Sequence, residues 1–202
     1  MQCVLMNGTQ PRVLLLTSSQ AGEGKTFTTL ALAHFAASTG RRVLALECDL
    51  RRPGFGASMR LPAGKPGLSE YLRGEVGFSD IVSSAPGKPD VIAAGTPAID
   101  SLELLSNGRI DELLRYARSA YDLVVIDTPP SEMLMDARLL AKRADGVIYC
   151  ASWGQSHSEA VLDGIRGMEQ AGGRVLGLTV GMVRENEFTL YDAGTSRPSR
   201  YL

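Results

Sequence analysis

Six short apolar runs, separated by helical or turn-forming segments, constrain the fold of this chain more than any other feature. The runs are continuous rather than alternating in polarity, which is typical of strands covered on both faces. They are "RVLLLT" (12–17), "RVLALE" (42–47), "DVIAAG" (90–95), "DLVVID" (122–127), "GVIYCA" (146–151) and "VLGLTVGMV" (175–183). Strands that alternate with helices predict an α/β fold, in which a mostly parallel, twisted sheet has helices on both faces.

The segments between the runs show helical spacing. In residues 25–39 an apolar stripe predicts a helix whose stripe packs in the core, with Gly40 ending the helix. That stripe consists of Phe27, Leu30, Ala31, His34 and Phe35. Other helices are predicted as two pieces in 101–120, divided near Asn107, and within 132–144 and 156–172. Residues 52–67, rich in Gly and Pro, are predicted to form a loop.

The composition argues against several classes of protein. Lys and Arg total 21 against 22 Asp and Glu, whereas a general nucleic-acid binder carries a basic excess. No apolar run approaches the roughly 18 residues of a membrane span. The first twelve residues lack the basic start and long apolar segment of a secretory signal. We expect one domain over 1–183, followed by a polar, flexible tail over 184–202.

The cysteines and histidines give no sign of a metal centre. Cys3, Cys48 and Cys150 are odd in number and far apart, which predicts buried, reduced thiols rather than disulfides. No cysteine lies at ligand spacing from His34 or His157, which argues against zinc. We therefore expect no zinc centre or other metal site built from cysteine and histidine.

The segment "SSQAGEGKTF" (18–27) follows the first predicted strand and opens the first predicted helix. Its spacing, Ser19-x-x-x-x-Gly24-Lys25-Thr26, matches the phosphate-binding loop, with serine in place of the usual first glycine. Backbone N–H groups of such a loop form a nest for anions, and the helix N-terminus adds partial positive charge. Lys25 can reach the β- and γ-phosphates, and the Thr26 hydroxyl can bind Mg²⁺. The pattern predicts a nucleoside triphosphate and Mg²⁺ as cofactors, and no metal other than Mg²⁺.

Acidic residues at two other strand ends complete the predicted site. Asp127 ends "DLVVID" and would help to hold Mg²⁺ at the carboxyl edge of the sheet. Glu47 and Asp49 are two residues apart and are expected on the same side of the second strand. One of these two could bind the metal, while the other accepts a proton from an attacking hydroxyl. Arg51 could contact phosphate or a partner carboxylate.

At these three places the sequence resembles the bacterial tyrosine kinases of capsule and exopolysaccharide assembly, which have a P-loop NTPase fold. The resemblance covers residues 12–183 and includes "ALECDLRRPG", "GLSEYLRG", "LELLSNGRIDELL" and "DARLLAKRADGVIYC". It implies an ATP-dependent protein-tyrosine autokinase that regulates polysaccharide polymerisation and export. The catalytic residues implied are Lys25, Glu47, Asp49 and Asp127. The metal ligands implied are Thr26, Asp49 and Asp127. The nucleotide-binding residues implied are Ala21, Gly22, Glu23, Gly24, Lys25, Thr26, Phe27 and Arg51.

The resemblance also implies partners and a location. Tyr191 and Tyr201 in the tail would be the acceptors, phosphorylated by a neighbouring copy within a homo-oligomer. A membrane-embedded adaptor or an N-terminal membrane segment would hold the domain at the inner face of the cell membrane, in the cytoplasm. The chain departs from the family pattern at Glu47, where the family has Asp, and at Gly181, where it often has an adenine-binding Asn.

Two alternatives remain at this stage. The first is a P-loop ATPase of the partitioning or positioning type, but that class carries a second lysine early in the loop, where this chain has Gln20. The second is a weakly catalytic, nucleotide-binding regulatory subunit of a polysaccharide export system. Glu47 and the small number of tail tyrosines favour this second alternative.

Overall fold

One seven-stranded sheet with helices on both faces makes up the part of the chain described by the computed structural model, residues 11–62, 64–131 and 135–183. The strands are β1 Val13–Ser18, β2 Val43–Glu47, β3 Val82–Ser83, β4 Asp90–Ile92, β5 Leu123–Asp127, β6 Gly146–Ser152 and β7 Val175–Gly181. The helices are α1 Lys25–Ser38, α2 Phe55–Met59, α3 Leu68–Arg73, α4 Phe78–Ile81, α5 Ser101–Ser106, α6 Gly108–Ala120, α7 Asp136–Ala141 and α8 Ser158–Gln170. The strand order is β3-β4-β2-β5-β1-β6-β7.

The continuous apolar runs are explained by cores on the two faces of the sheet. In β5, Val124 and Ile126 enter one core, whereas Leu123 and Val125 enter the other. The first core is closed by residues of α3 and α5–α8, and the second by residues of α1 and α2. A strand buried on both sides needs an apolar residue at every position, so the α/β prediction is confirmed.

All six predicted strands are present, with small differences at their ends. Every strand pair is parallel except β3 with β4, which is antiparallel. The two-residue strand β3 was not predicted, because a run this short has no recognisable periodicity. The prediction that strands are covered on both faces is wrong for β7, where Leu176, Leu178 and Val180 are exposed at the edge of the sheet.

The predicted orientation of α1 is wrong. Phe27 and Phe35 are 79% and 69% exposed, and Ala31 and His34 are exposed as well. The buried face is formed instead by Lys25, Thr29, Ala33 and Ala36. Small side chains on this face allow the helix to lie close to β1, β2 and β5. The apolar stripe therefore identified the helix but not the side that packs.

The remaining predicted segments agree with the structure in part. The predicted loop 52–67 contains α2, whose Phe55 is fully buried. The division near Asn107 is confirmed, since the Asn107 side chain accepts a hydrogen bond from the N–H of Arg109 and begins α6. Residues 132–134 of the predicted helix 132–144 lie outside the described residues. Cys48 and Cys150 are buried free thiols, as expected.

The register of the central strands brings the predicted acidic residues together. Asp127 pairs with Leu16 on β1 and with Glu47 on β2. The carboxyl ends of β1, β2 and β5 thus lie side by side, and the loop that follows β1 starts at this edge. Of the helices that the structure describes, none is long and apolar enough to cross a membrane.

Candidate nucleotide-binding and phosphoryl-transfer site

The loop between β1 and α1 has the backbone shape that its glycines predict. Gly22 and Gly24 have φ angles of +85° and +83°, in the left-handed region that favours glycine. A Cβ atom on Gly22 would have no atom within 4 Å, so nothing packs against the loop at this glycine. Helix α1 begins directly afterwards, with Thr28 N–H donating to the carbonyl of Gly24 at 2.9 Å. The segment therefore combines a curved loop with a helix N-terminus, as anion binding requires.

A glutamate within the loop holds its shape. The carboxylate of Glu23 accepts a 2.6 Å hydrogen bond from the N–H of Gln20 and a second one from the hydroxyl of Ser156. Ser156 also accepts from the N–H of Ser152, at the end of β6. The Glu23 carboxylate is therefore occupied by hydrogen bonds within the protein. Glu23 can contribute its backbone N–H to a phosphate, as the sequence predicted for this loop.

Three hydroxyl groups connect the loop to the two neighbouring strands. Tyr149 Oη on β6 lies 3.1 Å from Ser19 Oγ and 2.9 Å from Ser131 Oγ. Ser131 also donates to the carbonyl of Ser18 at 3.2 Å. All these groups are buried, so the hydrogen bonds fix the loop against the segment that follows Asp127. Sequence reasoning missed this cluster.

Lys25, Thr26 and Asp127 meet at the carboxyl end of the central strands. Lys25 is only 7% exposed at the start of α1. Thr26 Oγ1 donates to Asp127 Oδ2 at 2.7 Å, and Thr29 Oγ1 lies 3.3 Å from Asp127 Oδ1. The structure thus brings together the lysine, the hydroxyl and the carboxylate that the sequence assigned to one site.

Negative charge is concentrated around Asp127. Burial raises the pKa of Asp127 to about 7, opposed by the Thr26 hydrogen bond and by the charge of Lys25. The charges of Glu47 and Asp49 raise this pKa further. Burial likewise raises the pKa of Asp49, while the N–H of Arg52 and the charge of Lys25 lower it. A cation bound among these groups would relieve their mutual repulsion.

Glu47 and Asp49 occupy different environments. Strand β2 ends at Glu47, so the expectation that both carboxylates lie on one side of a strand is wrong. Glu47 is fully buried and accepts hydrogen bonds from the backbone N–H groups of Gly54, Phe55 and Ala94. Asp49 accepts a 3.0 Å hydrogen bond from the N–H of Arg52. Arg51 donates to Ser101 Oγ at 2.8 Å.

The end of β7 approaches the loop from another direction. Met182 has a φ angle of +58°, which is uncommon for a residue with a side chain. Its terminal methyl lies 3.7 Å from the position that a Cβ on Gly24 would occupy, and its sulfur accepts from the Ser152 hydroxyl at 3.3 Å. Met182 could not be predicted from the sequence, where only Gly181 stands out, because a lone methionine after a strand has no recognisable pattern.

These residues fit MgATP better than a metal held by protein alone. Among the described residues no group of three or more His, Cys, Asp or Glu side chains is arranged to hold a metal ion. Mg²⁺ is commonly bound through one or two carboxylates, water and substrate phosphates. The Thr26–Asp127 pair beside an open anion nest provides such a partial site. The predicted acceptors Tyr191 and Tyr201 lie outside the described residues.

Comparison with known proteins decides the family. An AAA domain family matches residues 11–158. The crystal structure of the VpsO kinase domain is 32% identical, with a TM-score of 0.82, and 86% of each chain is covered. The chain belongs to the bacterial tyrosine kinase family. Two curated members of this family are similar over most of the chain: tyrosine-protein kinase Etk of Escherichia coli is 31% identical over 92% of it, and CpsD of Streptococcus agalactiae is 28% identical over 95%.

The bacterial tyrosine kinases that match differ in length. This chain spans about a quarter of Etk, 26% of its length, but 84% of CpsD. The family assignment and the P-loop NTPase fold inferred from the sequence are both confirmed by these similarities.

Proposed function

We propose that this protein is an ATP-dependent protein-tyrosine autokinase that regulates capsule or exopolysaccharide polymerisation and export. The main support is the meeting of Lys25, Thr26 and Asp127 beside an open loop of backbone N–H groups. Similarity to the named tyrosine kinases Etk and CpsD supports the chemistry and the tyrosine specificity.

The phosphate-binding residues act mainly through charge and position. Bound MgATP would supply the phosphoryl group, and its magnesium would neutralise part of the phosphate charge. Lys25 and the N–H groups of 21–26 stabilise negative charge as it develops during transfer, which is usually the largest contribution to this kind of catalysis. Thr26 and Asp127 hold the metal side of the nucleotide, and the Thr26–Asp127 hydrogen bond orients both groups beforehand.

Asp49 is the group that we assign to accept the proton of the attacking tyrosine. Burial raises the pKa of both Asp49 and Glu47, and a raised pKa makes a carboxylate a stronger base, so the hydrogen bonds of the two carboxylates decide between them. Of its two carboxylate oxygens, Oδ1 accepts a hydrogen bond from Arg52 N–H. Glu47, the other candidate, has both oxygens occupied by backbone N–H groups. Asp49 is therefore the better placed of the two.

The remaining parts of the proposal concern the whole protein. Residues 1–183 would form the kinase domain, and Tyr191 and Tyr201 in the tail 184–202 would accept phosphate from a neighbouring copy. A membrane-embedded adaptor of polysaccharide export would hold the protein at the inner face of the cell membrane. Each phosphate adds about −1.5 to −2 charge at neutral pH, which would loosen an assembly by repulsion.

Incubation with labelled ATP and Mg²⁺, followed by mass spectrometry of the tail, tests this function. We expect label on Tyr191 or Tyr201 that is absent in Lys25→Met. Lys88→Met, which changes an exposed lysine away from the loop, should retain the label. Free phosphate without labelled protein would indicate an ATPase instead. Bound nucleotide without either product would indicate a regulatory subunit.

A further inference from the structure

We propose that Glu47 is a positioning residue, which holds the Asp49 loop against the end of β4, and is neither a metal ligand nor the catalytic base. This inference deepens the proposed function and rests on it for the role of Asp49. It differs from the role that family resemblance implies for the first acidic residue of this motif.

The contacts of Glu47 support the inference directly. Its Oε1 accepts hydrogen bonds from the N–H of Gly54 and, at 2.8 Å, from the N–H of Phe55. Its Oε2 accepts from the N–H of Ala94 at 2.9 Å. An ionised carboxylate offers about four acceptor sites, so these three bonds use most of its capacity. The side chain is fully buried. Removal of the carboxylate would therefore leave these three N–H groups without their acceptor in the interior, which is costly.

The segment held by Glu47 carries the residues proposed for chemistry. Asp49 and Arg51 lie between Glu47 and Gly54 in the chain. Gly54 also borders the metal side of the site, since a Cβ on it would lie 3.6 Å from the methyl group of Thr26. A shift of Gly54 would therefore disturb both the proposed base and the neighbourhood of Thr26.

Packing supports this segment on one side more than on the other. Phe55 is buried in the core beneath α1. A cavity of about 340 Å³ lies along the same segment, with Pro53, Gly56 and Ala57 among its lining residues. Glu47 is part of the cavity wall as well. On the side of the cavity, hydrogen bonds to Glu47 therefore hold the segment in place of packed side chains.

The length of the side chain matters in this arrangement. Glu47 connects two backbone segments, 54–55 and 94, through opposite oxygens of one carboxylate. Aspartate is shorter by one C–C bond, about 1.5 Å, and at the end of β2 it cannot reach both segments without moving one of them. Glutamate at this position is thus matched to the loop of this chain.

The test compares Glu47→Gln and Glu47→Asp with Glu70→Gln in the full chain. Glu70 is a matched control because its carboxylate also joins two backbone segments, accepting from Gly67 N–H at 2.7 Å and Thr96 N–H at 3.0 Å. Hydrogen exchange of the Gly54, Phe55 and Ala94 amides is measured without nucleotide. Autokinase rate is then measured against Mg²⁺ concentration, and thermal unfolding identifies variants that do not fold.

We expect both Glu47 variants to speed exchange at the three amides by about tenfold or more and to lower kcat by about 10²-fold. The Mg²⁺ concentration for half-maximal rate is expected to rise by no more than about tenfold through the displaced neighbourhood of Thr26, so faster amide exchange is the result that separates a positioning residue from a metal ligand. Glu70→Gln should leave the kinetics of the folded protein unchanged.

Several outcomes would overturn the proposal. One is protected amides together with a Mg²⁺ requirement raised about tenfold, which would mark a metal ligand. Another is full activity in Glu47→Asp, which would show that the longer side chain is unnecessary. If Glu47→Gln does not fold, Glu47→Asp is judged by the same criteria. If the wild-type protein transfers no phosphate, the proposed function fails, while the exchange measurement still tests how Glu47 holds the loop.

Discussion

Thr26 and Asp127 are joined by a 2.7 Å hydrogen bond although 101 positions separate them in the chain. The bond connects the first turn of α1 to the end of β5, and Thr29 approaches the other oxygen of the same carboxylate at 3.3 Å. Both oxygens of a buried acidic group thus face one helix. These contacts fix the distance between the phosphate-binding loop and Asp127 at the end of β5.

Thr26→Ala should weaken nucleotide binding specifically when Mg²⁺ is present. The substitution removes a hydroxyl proposed to bind the metal and leaves Asp127 with fewer hydrogen bonds. We expect Mg²⁺-dependent affinity for ADP to fall by about tenfold or more, as measured by titration of a fluorescent ADP analogue at several Mg²⁺ concentrations. Thr26→Ser is the control and should retain most of the affinity. Equal loss in both variants would show that the methyl group, rather than the hydroxyl, matters.

Gly164→Ala should destabilise the protein although alanine favours helices. A Cβ at this position of α8 would lie 1.7 Å from the buried Tyr149 hydroxyl. We expect the free energy of unfolding to fall by about 1–3 kcal/mol, measured by urea denaturation. Gly108→Ala in α6, where a Cβ meets no atom within 4 Å, is the control. It should leave stability unchanged or raise it by less than about 1 kcal/mol.

Tyr149→Phe tests the hydroxyl cluster that joins the phosphate loop to β6. Loss of this hydroxyl leaves Ser19 and Ser131 without one of their buried partners. The free energy of unfolding should fall by about 1–3 kcal/mol, and affinity for ATP should decrease because the loop is less firmly held. Tyr116→Phe, at a half-exposed ring beside Phe78, should change neither quantity. An unchanged ATP affinity in Tyr149→Phe would limit the cluster to a role in stability.

Asp145→Asn should make the stability of the protein less dependent on pH. Burial alone would raise the pKa of Asp145, but the N–H groups of Val13 and Arg12 and the guanidinium of Arg118 lower it overall. A lowered pKa in the folded state means that the ionised group stabilises the fold above its unfolded pKa of about 4. This contribution is lost as pH falls through the folded-state value.

Urea denaturation between pH 3 and 7 measures this effect. We expect wild type to exceed Asp145→Asn by about 1–2 kcal/mol at pH 5–7, a value reduced for partial exposure of the ion pair. The difference should shrink below pH 4. Asp163→Asn, which breaks an exposed pair with Arg166, should have almost no effect. A difference between wild type and Asp145→Asn that stays constant to pH 3 would contradict the assigned cause.

The parts of the site that could be predicted from sequence are those set by local spacing. Lys25 and Thr26 follow a glycine-rich turn, and Asp127 ends a fully apolar strand. Each pattern places its residue at the carboxyl edge of a parallel sheet wherever the chain folds this way. Their proximity then follows from the pairing of β1 with β5.

Other features depend on contacts between distant segments and leave no local pattern. Ser19, Ser131 and Tyr149 are ordinary hydroxyl residues until the fold brings them together. The partners of Glu47 are backbone N–H groups, which every non-proline residue carries. The apolar stripe predicted the wrong buried face of α1. Ala33 and Ala36 contribute little to an apolar pattern, although their small side chains allow the closest packing.

Because β1 lies in the interior of the sheet, the edges of the sheet can open without releasing the nucleotide-binding loop that follows β1. Strands β3 and β7 form the two edges, whereas β1 is flanked on both sides by β5 and β6. Partial opening starts where backbone groups are least protected, so fraying would begin at these edges and leave the anchor of the loop intact. Release of the loop itself would require disruption of the central strands, close to complete unfolding of the sheet.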